Sequence, residues 1–474
     1  MLEGLEIKEI MLKTIYANKD YRIDSQFHTE TVIKNLALSY KRIGDILLSS
    51  QYGISIEMNE NRIGYPIYRM NEIHSMLCDL NVNKSANINL IELSTFKLND
   101  KDVLFNRTNS YEWVGRTGVY YNNEDNRIFA SYLVRFIPDP LVIKPEYLAC
   151  FLSSKFGVKE IKRRARESIN QTNVNPEEVK EIEIPILSKE LQNCVEDNFV
   201  KANRMRIDAA TLYNRAENFL LREISLYSID NNATKNIKSL KESFLFTGRL
   251  DAEYYQPKYD DLFYHLSQLE SKKLGEIVSI KKSIEPGSDA YQDTGIPFVR
   301  VSNLSKFGLT KPEIHLDANK YGSATLYPKK DTILLSKDGS VGIAYKIEED
   351  MEIITSGALL HLNMIDNEFL PDYLTLVLNS KIVQLQAERD AGGSIIQHWK
   401  PSEIEEVIIP KLPLDHQKKI SDLIQQSFKL KKQSEQLLEV AKKAVEIAIE
   451  QNEATAIDYI NSYSELIQED GNWD

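Results

Sequence analysis

The chain repeats itself, and no other property of the sequence limits its fold as much. Arg22-Ile23-Asp24-Ser25-Gln26-Phe27-His28 returns as Arg249-Leu250-Asp251-Ala252-Glu253-Tyr254-Tyr255, 227 residues later. Lys41-Arg42-Ile43-Gly44-Asp45-Ile46 returns as Lys272-Lys273-Leu274-Gly275-Glu276-Ile277 at an offset of 231, and Pro66–Met70 returns as Pro297–Val301 at the same offset. Pro145-Glu146-Tyr147-Leu148 matches Pro371-Asp372-Tyr373-Leu374 at 226. Ser168-Ile169-Asn170-Gln171 matches Ser394-Ile395-Ile396-Gln397, also at 226, and Ile184-Pro185 matches Ile409-Pro410 at 225. Each pair alone is weak. Six in one order, with offsets drifting only from 225 to 231, mark a tandem duplication.

The repeated unit has two parts. The first holds short β-branched and aromatic runs, such as Pro297–Val301, Thr332–Leu335 and Ile353–Leu362, punctuated by Gly, Pro, Asn and Asp. These read as strands joined by turns, interrupted by helical stretches such as Pro371–Glu388. The second part, after each Ile-Pro, is a long run suited to helix. Val195, Phe199, Ala202, Ala209, Tyr213, Ala216 and Leu220 keep a spacing near 3.5, broken only by Arg206. Ile420, Leu423, Ser427, Leu430, Ser434, Leu437, Ala441, Ala444 and Ala448 do the same in the second copy. That period is a coiled-coil seam, and each helix would be ~55 Å long. A seam must be buried, and the obvious partner for each helix is its duplicate.

The expected fold class is therefore α+β: two α/β globular domains in tandem repeat, separated by two long helices that form an antiparallel coiled coil. The expected boundaries are an N-terminal segment 1–21, a domain 22–187, a helix 188–227, a linker 228–248, a domain 249–411, a helix 412–452 and a tail 453–474.

Composition excludes several functions. The 474 residues are 42% apolar and 27% charged with a net charge of −12, so no uniformly basic surface marks a nucleic-acid binder. The first domain is nevertheless neutral, with 21 basic and 21 acidic residues in 22–187 against 18 and 25 in 249–411. Cys78, Cys150 and Cys194 are far apart and outside any CxxC, which fits a reducing cytoplasm. No membrane helix or signal peptide is expected. No P-loop, dinucleotide fingerprint, HExxH or GxSxG occurs. Asn175-Pro176-Glu177 lacks the second proline and the aromatic of an amino-methyltransferase turn, and Glu178-Val179-Lys180, with nuclease-like ExK spacing, reads as a solvated helix face. As an enzyme in its own right the chain looks empty, and no cofactor is expected on it.

Three phrases of the second copy carry a resemblance: Gly295–Leu304 (GIPFVRVSNL), Leu334–Gly342 (LLSKDGSVG), and Gly393–Trp399 (GSIIQHW) followed by Ile408–Pro413. Together they resemble the DNA-specificity subunit of type I restriction–modification systems, over nearly the whole chain. The resemblance implies two target-recognition domains, each reading half of a bipartite site in double-stranded DNA. It implies helices that space them, and assembly with two adenine methyltransferase subunits and with restriction subunits. S-adenosylmethionine and ATP/Mg would then belong to those partners. A coiled-coil scaffold with two protein-binding domains is the alternative from another class.

Candidate contact residues each carry a plainer reading beside the functional one. Arg69 and Arg300 end equivalent strand phrases, where an arginine can reach guanine or phosphate or can pin a loop through a carboxylate. Asn71, and Ser302 with Asn303, follow them. Arg107, Thr108, Asn109, Ser110, Tyr111, Trp113 and Arg116 mix donors and aromatic faces in one loop, although Trp113 could be core. Lys337, Asp338, Gly339 and Ser340 form a turn after a buried strand, which needs no function to exist. Gly393, Ser394, Gln397 and His398 offer close backbone approach and an adenine reader, or only a turn. Lys162, Arg163, Arg164 and Arg166, with Gln171, occupy the equivalent region of the first copy, as phosphate anchors or a solvated face. No metal site is expected.

Overall fold

A computed structural model describes residues 8–17, 21–29, 34–122, 125–169, 171–226, 235–393 and 397–469. The chain divides into two compact units, Met1–Asp208 with Leu430–Asp474, and Ala209–Lys429.

The first unit is built on a four-stranded antiparallel sheet in the order Leu47–Tyr52, Leu133–Pro138, Val103–Asn106, Thr117–Val119. The second unit repeats it with Val278–Lys282, Leu359–Met364, Ile333–Ser336 and Ala344–Lys346. In the inner strands Val103–Asn106 and Ile333–Ser336 every residue is buried. Alternate side chains enter opposite cores: Val103 and Phe105 join one cluster and Leu104 another, as Ile333 and Leu335 part from Leu334. A smaller mixed sheet holds Tyr65–Tyr68 between Ser85–Ala86 and Ile128–Phe129, matched by Ile296–Val299 between His315–Leu316 and Ile354–Thr355. These last pairings are the only parallel ones between strands among the described residues. Antiparallel pairing otherwise prevails, so each unit is α+β in build rather than the α/β expected of it.

The helical stretch expected over 371–388 is two helices, Pro371–Asn379 and Lys381–Asp390, with Ser380 in extended backbone between them. Ser154 divides Pro145–Ser153 from Lys155–Lys162 in the same way. Ser154 caps its new helix, accepting from Gly157 N (3.3 Å), whereas Ser380 stands at the N-cap without such a bond. The phrase shared by both copies has a shared use: Tyr147 Oη donates to Pro185 O and Tyr373 Oη to Pro410 O, each at 2.7 Å.

The long helices are Lys189–Glu223 and Leu414–Glu450. Near its start each carries a buried glutamine that joins it to its globular part. Gln192 accepts from Lys144 N (2.8 Å) and donates to Leu187 O (2.9 Å); Gln417 accepts from Leu370 N (2.9 Å) and donates to Leu412 O (2.9 Å). All seven seam residues of the first helix are buried. In the first unit Val195, Phe199 and Ala202 share a core with Leu437, Ala441, Ala444 and Ala448. In the second, Tyr213, Ala216 and Leu220 share one with Ile420 and Ile424. Ser434 Oγ donates to Ala202 O and Ser427 Oγ to Ala209 O, both at 2.7 Å. Small residues let the backbones come that close. Arg206, which interrupts the seam, turns its guanidinium onto Cys78 O (2.7 Å) and Asn203 Oδ1 (2.7 Å).

The two stretches named only as an N-terminal segment and a tail contain helix. The tail includes Glu453–Glu469, whose Ala456 and Ile460 join the first unit's core, and the N-terminal segment includes Leu12–Ala17. Of the linker 228–248, residues 228–234 lie outside the described residues; the remainder includes Phe244–Thr247. Among the described residues no helix is long and apolar enough to cross a membrane.

Candidate nucleic-acid interface

In each unit the inner strand of the large sheet runs out into a loop, and a second segment from ~60 residues further on joins it. In the first unit Thr108–Asn109 pairs with Thr172–Asn173, which pairs in turn with Arg166–Glu167. Thr108 Oγ1 donates to Asn173 Oδ1 at 2.6 Å, locking the two segments together. In the second unit Asp338 bridges His398, and His398 bridges Gly392. Trp399 N donates to Lys337 O (2.8 Å) and Gly339 N to Gln397 O (2.9 Å). Residues selected from two separate stretches of sequence thus meet in one surface patch per unit.

The side chains that reach this surface differ between units. In the first, Ser110 and Tyr111 are exposed, Asn109, Trp113 and Arg116 are half-buried, and Arg166 and Gln171 are exposed on the crossing segment. The Arg116 guanidinium lies 3.2 Å from the centre of the Trp113 ring and 3.2 Å from His74 Nδ1. Burial lowers its pKa to about 10, with Asp79 pulling the other way. Arg107 lies over the Tyr52 ring at 5.2 Å, with its Nε buried. In the second unit Gly339, Ser340, Gly393, Gln397 and His398 are exposed. Gly339 has φ +73°, and a Cβ there would meet nothing, so the space beside its Cα is open, while its N–H is taken by Gln397 O. Burial works to raise the Asp338 carboxyl, but Lys337 and His398, whose Nδ1 is 2.9 Å away, hold it below its usual range. Ser394 lies outside the described residues.

Several candidates are corrected by their surroundings. Thr108 is buried and serves the interstrand bond. Arg163 chelates Glu160 (3.0 and 2.9 Å) and donates to Phe27 O (2.7 Å). Arg164 is 5% exposed and donates to Glu178 O (3.0 Å) and Glu160 O (2.9 Å). Both guanidinium groups are turned inward onto these partners, and in the basic run only Arg166 is exposed. Lys337 is engaged by Asp338. Glu178 is buried, 3.7 Å from Arg22 and 3.4 Å from Arg166, so the ExK tripeptide is no solvated face.

The two strand-end arginines part company. Arg69 is pinned by Glu72, at 2.5 Å to the guanidinium and 2.8 Å to its backbone N–H. At the equivalent place Asn303 accepts from Arg300 N (3.0 Å) but brings no charge, and Arg300 has no carboxylate partner among the described residues. Arg300 is thus the freer cation. Asn71 and Ser302 are exposed beside them. His74 and Tyr52 belong to the first patch and were missed, since lone residues on other strands and loops leave no spacing signal. Among the described residues no cluster of His, Cys, Asp and Glu could hold a metal ion.

Gly115, at φ +92°, sits where the first loop rejoins the sheet, and a Cβ there would come within 2.6 Å of Ile161 Cγ2. Gly115→Ala is expected to lower stability by ~1–3 kcal/mol through overpacking and the left-handed backbone. A denaturation midpoint equal to that of the wild type would refute this close approach.

Residues 267–440 match the family model of the type I restriction modification DNA specificity domain. Over 421 residues, 85% of this chain and 91% of the relative, the sequence is 24% identical to a Methanocaldococcus jannaschii protein provisionally named type I restriction enzyme MjaX specificity subunit. It is 26% identical over 216 residues to the type I restriction enzyme EcoKI specificity subunit of Escherichia coli, covering 44% of this chain and 42% of that one. Among solved structures, the S subunit of a type I restriction–modification system from M. genitalium aligns over 87% of this chain and 96% of its own, at 14% identity and a TM-score of 0.39. The HsdS subunit from Thermoanaerobacter tengcongensis aligns over 89% and 98%, at 15% identity and a TM-score of 0.30.

Proposed function

We propose that this chain, a member of the type I restriction–modification specificity-subunit family, is the non-catalytic DNA reader of a methyltransferase and nuclease complex, with residues 22–187 and 249–411 each reading one half of a bipartite target. One observation carries the assignment of the reading surfaces. In both units two distant segments converge on the same place in a shared frame, and the side chains presented there differ. A common frame with different contact groups is what two readers of different half-sites need. Arg116, Asn109, Arg166 and Gln171 would serve the first domain; Arg300, Gln397 and His398, with the open space beside Gly339, would serve the second. Arginine can pair with guanine O6 and N7, and glutamine or asparagine with adenine N6 and N7, each in bidentate fashion. Other donors position the phosphates.

Residues 188–227 and 412–452 would form the antiparallel coiled coil that sets the gap between half-sites. With a net charge of −12, the chain depends on partners for much of the phosphate contact. Those partners are two methyltransferase subunits, which bring S-adenosylmethionine, and restriction subunits, which bring ATP and Mg.

Replacing residues 249–411 by the corresponding domain of a relative with another target tests this. Methylation mapping of the reconstituted complex should find one half of the recognition sequence changed and the other kept. A change in both halves, or in neither, would defeat the assignment.

A further inference from the structure

The loop that carries Trp113 is held by a residue that reads, in sequence, as part of a phosphate-binding run. The loop closes on Asn106, whose backbone O accepts from Gly115 N and whose N–H donates to Arg116 O, both at 2.8 Å. Inside it Trp113 N (3.1 Å) and Val114 N (2.9 Å) both donate to Ser110 O. This tight turn leaves the carbonyls of Tyr111, Glu112 and Val114 converging on one point. The Lys162 ammonium occupies that point, donating to Glu112 O (3.0 Å), Val114 O (3.2 Å) and Tyr111 O. An ammonium has three N–H donors and all are used. The same nitrogen lies 4.8 Å from the centre of the Tyr111 ring.

We infer that Lys162 is a positioning residue for DNA recognition: it sets the conformation of loop Tyr111–Arg116, and through it the base preference of the first domain. This deepens the reading of the chain as a DNA specificity subunit and rests on it. Lys162 ends the helix Lys155–Lys162, which is packed into the first unit's core through Ile161. The loop is therefore tied to a fixed element rather than to its own flexible turn. No carboxylate pairs with Lys162 among the described residues, so its removal would free the carbonyls without stranding a buried negative charge. Arg116, in contact with the Trp113 ring, would move with the loop.

The second unit does this differently. The residue 226 positions later is Glu388, which pairs with Lys258 at 2.6 Å. There the loop is held by Lys337 and His398 on Asp338, and by Gln384 Nε2 donating to Gly342 O (2.7 Å). The second domain is thus an internal control within the same chain.

The test uses the complex reconstituted with its methyltransferase subunits, with Lys162→Met to keep the aliphatic stem and remove the donors. Base discrimination in the half-site read by the first domain should fall at least tenfold at one or more positions, with the other half unchanged. Lys162→Arg, which keeps a cationic donor, should restore it. In the chain alone, labelled with 5-fluorotryptophan, the ¹⁹F resonance assigned through Trp113→Phe should shift or broaden in Lys162→Met and return in Lys162→Arg. Lys162→Gln serves the same comparison if the methionine variant does not fold. Unchanged discrimination, or an equal loss in both halves, would overturn the inference, as would an unmoved Trp113 resonance. If the wild-type complex methylates no bipartite site while the resonance behaves as expected, the loop anchor stands and the reading of the chain as a DNA reader fails.

Discussion

Replacing Asp372 by alanine is expected to cost ~3 kcal/mol of stability in the second unit, because it removes the one buried carboxylate of the three around the Lys346 cation, leaving the more exposed Glu348 (3.2 Å) and Asp331 (3.7 Å). Lys346 Nζ lies 2.8 Å from Asp372 Oδ1, with both side chains nearly inaccessible. The contact is an ion pair without the alignment of a hydrogen bond. The other carboxylate oxygen accepts from Ser421 Oγ (2.7 Å) and Gln425 Nε2 (2.8 Å), both on the second long helix. Asp372 therefore joins the sheet edge, the short helix and the long helix. Burial acts to lower the Lys346 pKa, but Asp372 and Glu348 raise it above the ordinary lysine value. A raised cation pKa gives stability that is complete below the unfolded value, about 10.4, and is lost as pH rises through the folded value. Denaturant titration of Asp372→Ala should reveal the loss, and the double variant Lys346→Met/Asp372→Leu should recover most of it. A single-variant loss under about 1 kcal/mol would mean that the pair is screened by water.

Inserting one heptad into each long helix, after Leu212 and after Leu430, is expected to lengthen the unread spacer of the DNA target by about three base pairs. Seven residues add ~10 Å of helix at ~1.5 Å each, against a rise of ~3.4 Å per base pair. A whole heptad keeps the apolar seam on one face and Ala202 opposite Ser434, while Ala209 and Ser427, now one heptad apart, each face an inserted heptad. The bases read should stay the same. Methylation mapping of a folded, active complex with an unchanged spacer would sink the coiled coil as a ruler.

The repeat was legible because duplicated contacts need duplicated residues. Tyr147 with Pro185 and Tyr373 with Pro410 make one bond twice, and the offsets of 226 and 225 record it. The seam was legible because a long buried helix face imposes a period on its own sequence. The breaks at Ser154 and Ser380 escaped notice, since one serine in an apolar stretch does not interrupt that period. The tail helix Glu453–Glu469 escaped for another reason: its burial depends on the first unit's core, which is made elsewhere in the chain.

By itself, then, the sequence determined the duplication, the strand-rich first part and long helix of each copy, and the general places where loops leave the sheet. These are local or repetitive, so they leave periods and matching phrases. The roles of the individual cations were decided only by the tertiary structure. The Arg69 guanidinium meets Glu72 while that of Arg300 has no carboxylate partner among the described residues; Arg163 and Arg164 turn inward to Glu160 while Arg166 stays exposed. Lys162 reaches across fifty residues to a turn. A guanidinium or an ammonium is chemically the same group in all these places. What it does depends on which carboxylates and carbonyls the fold brings within about 3 Å, and that distance is not written along the chain.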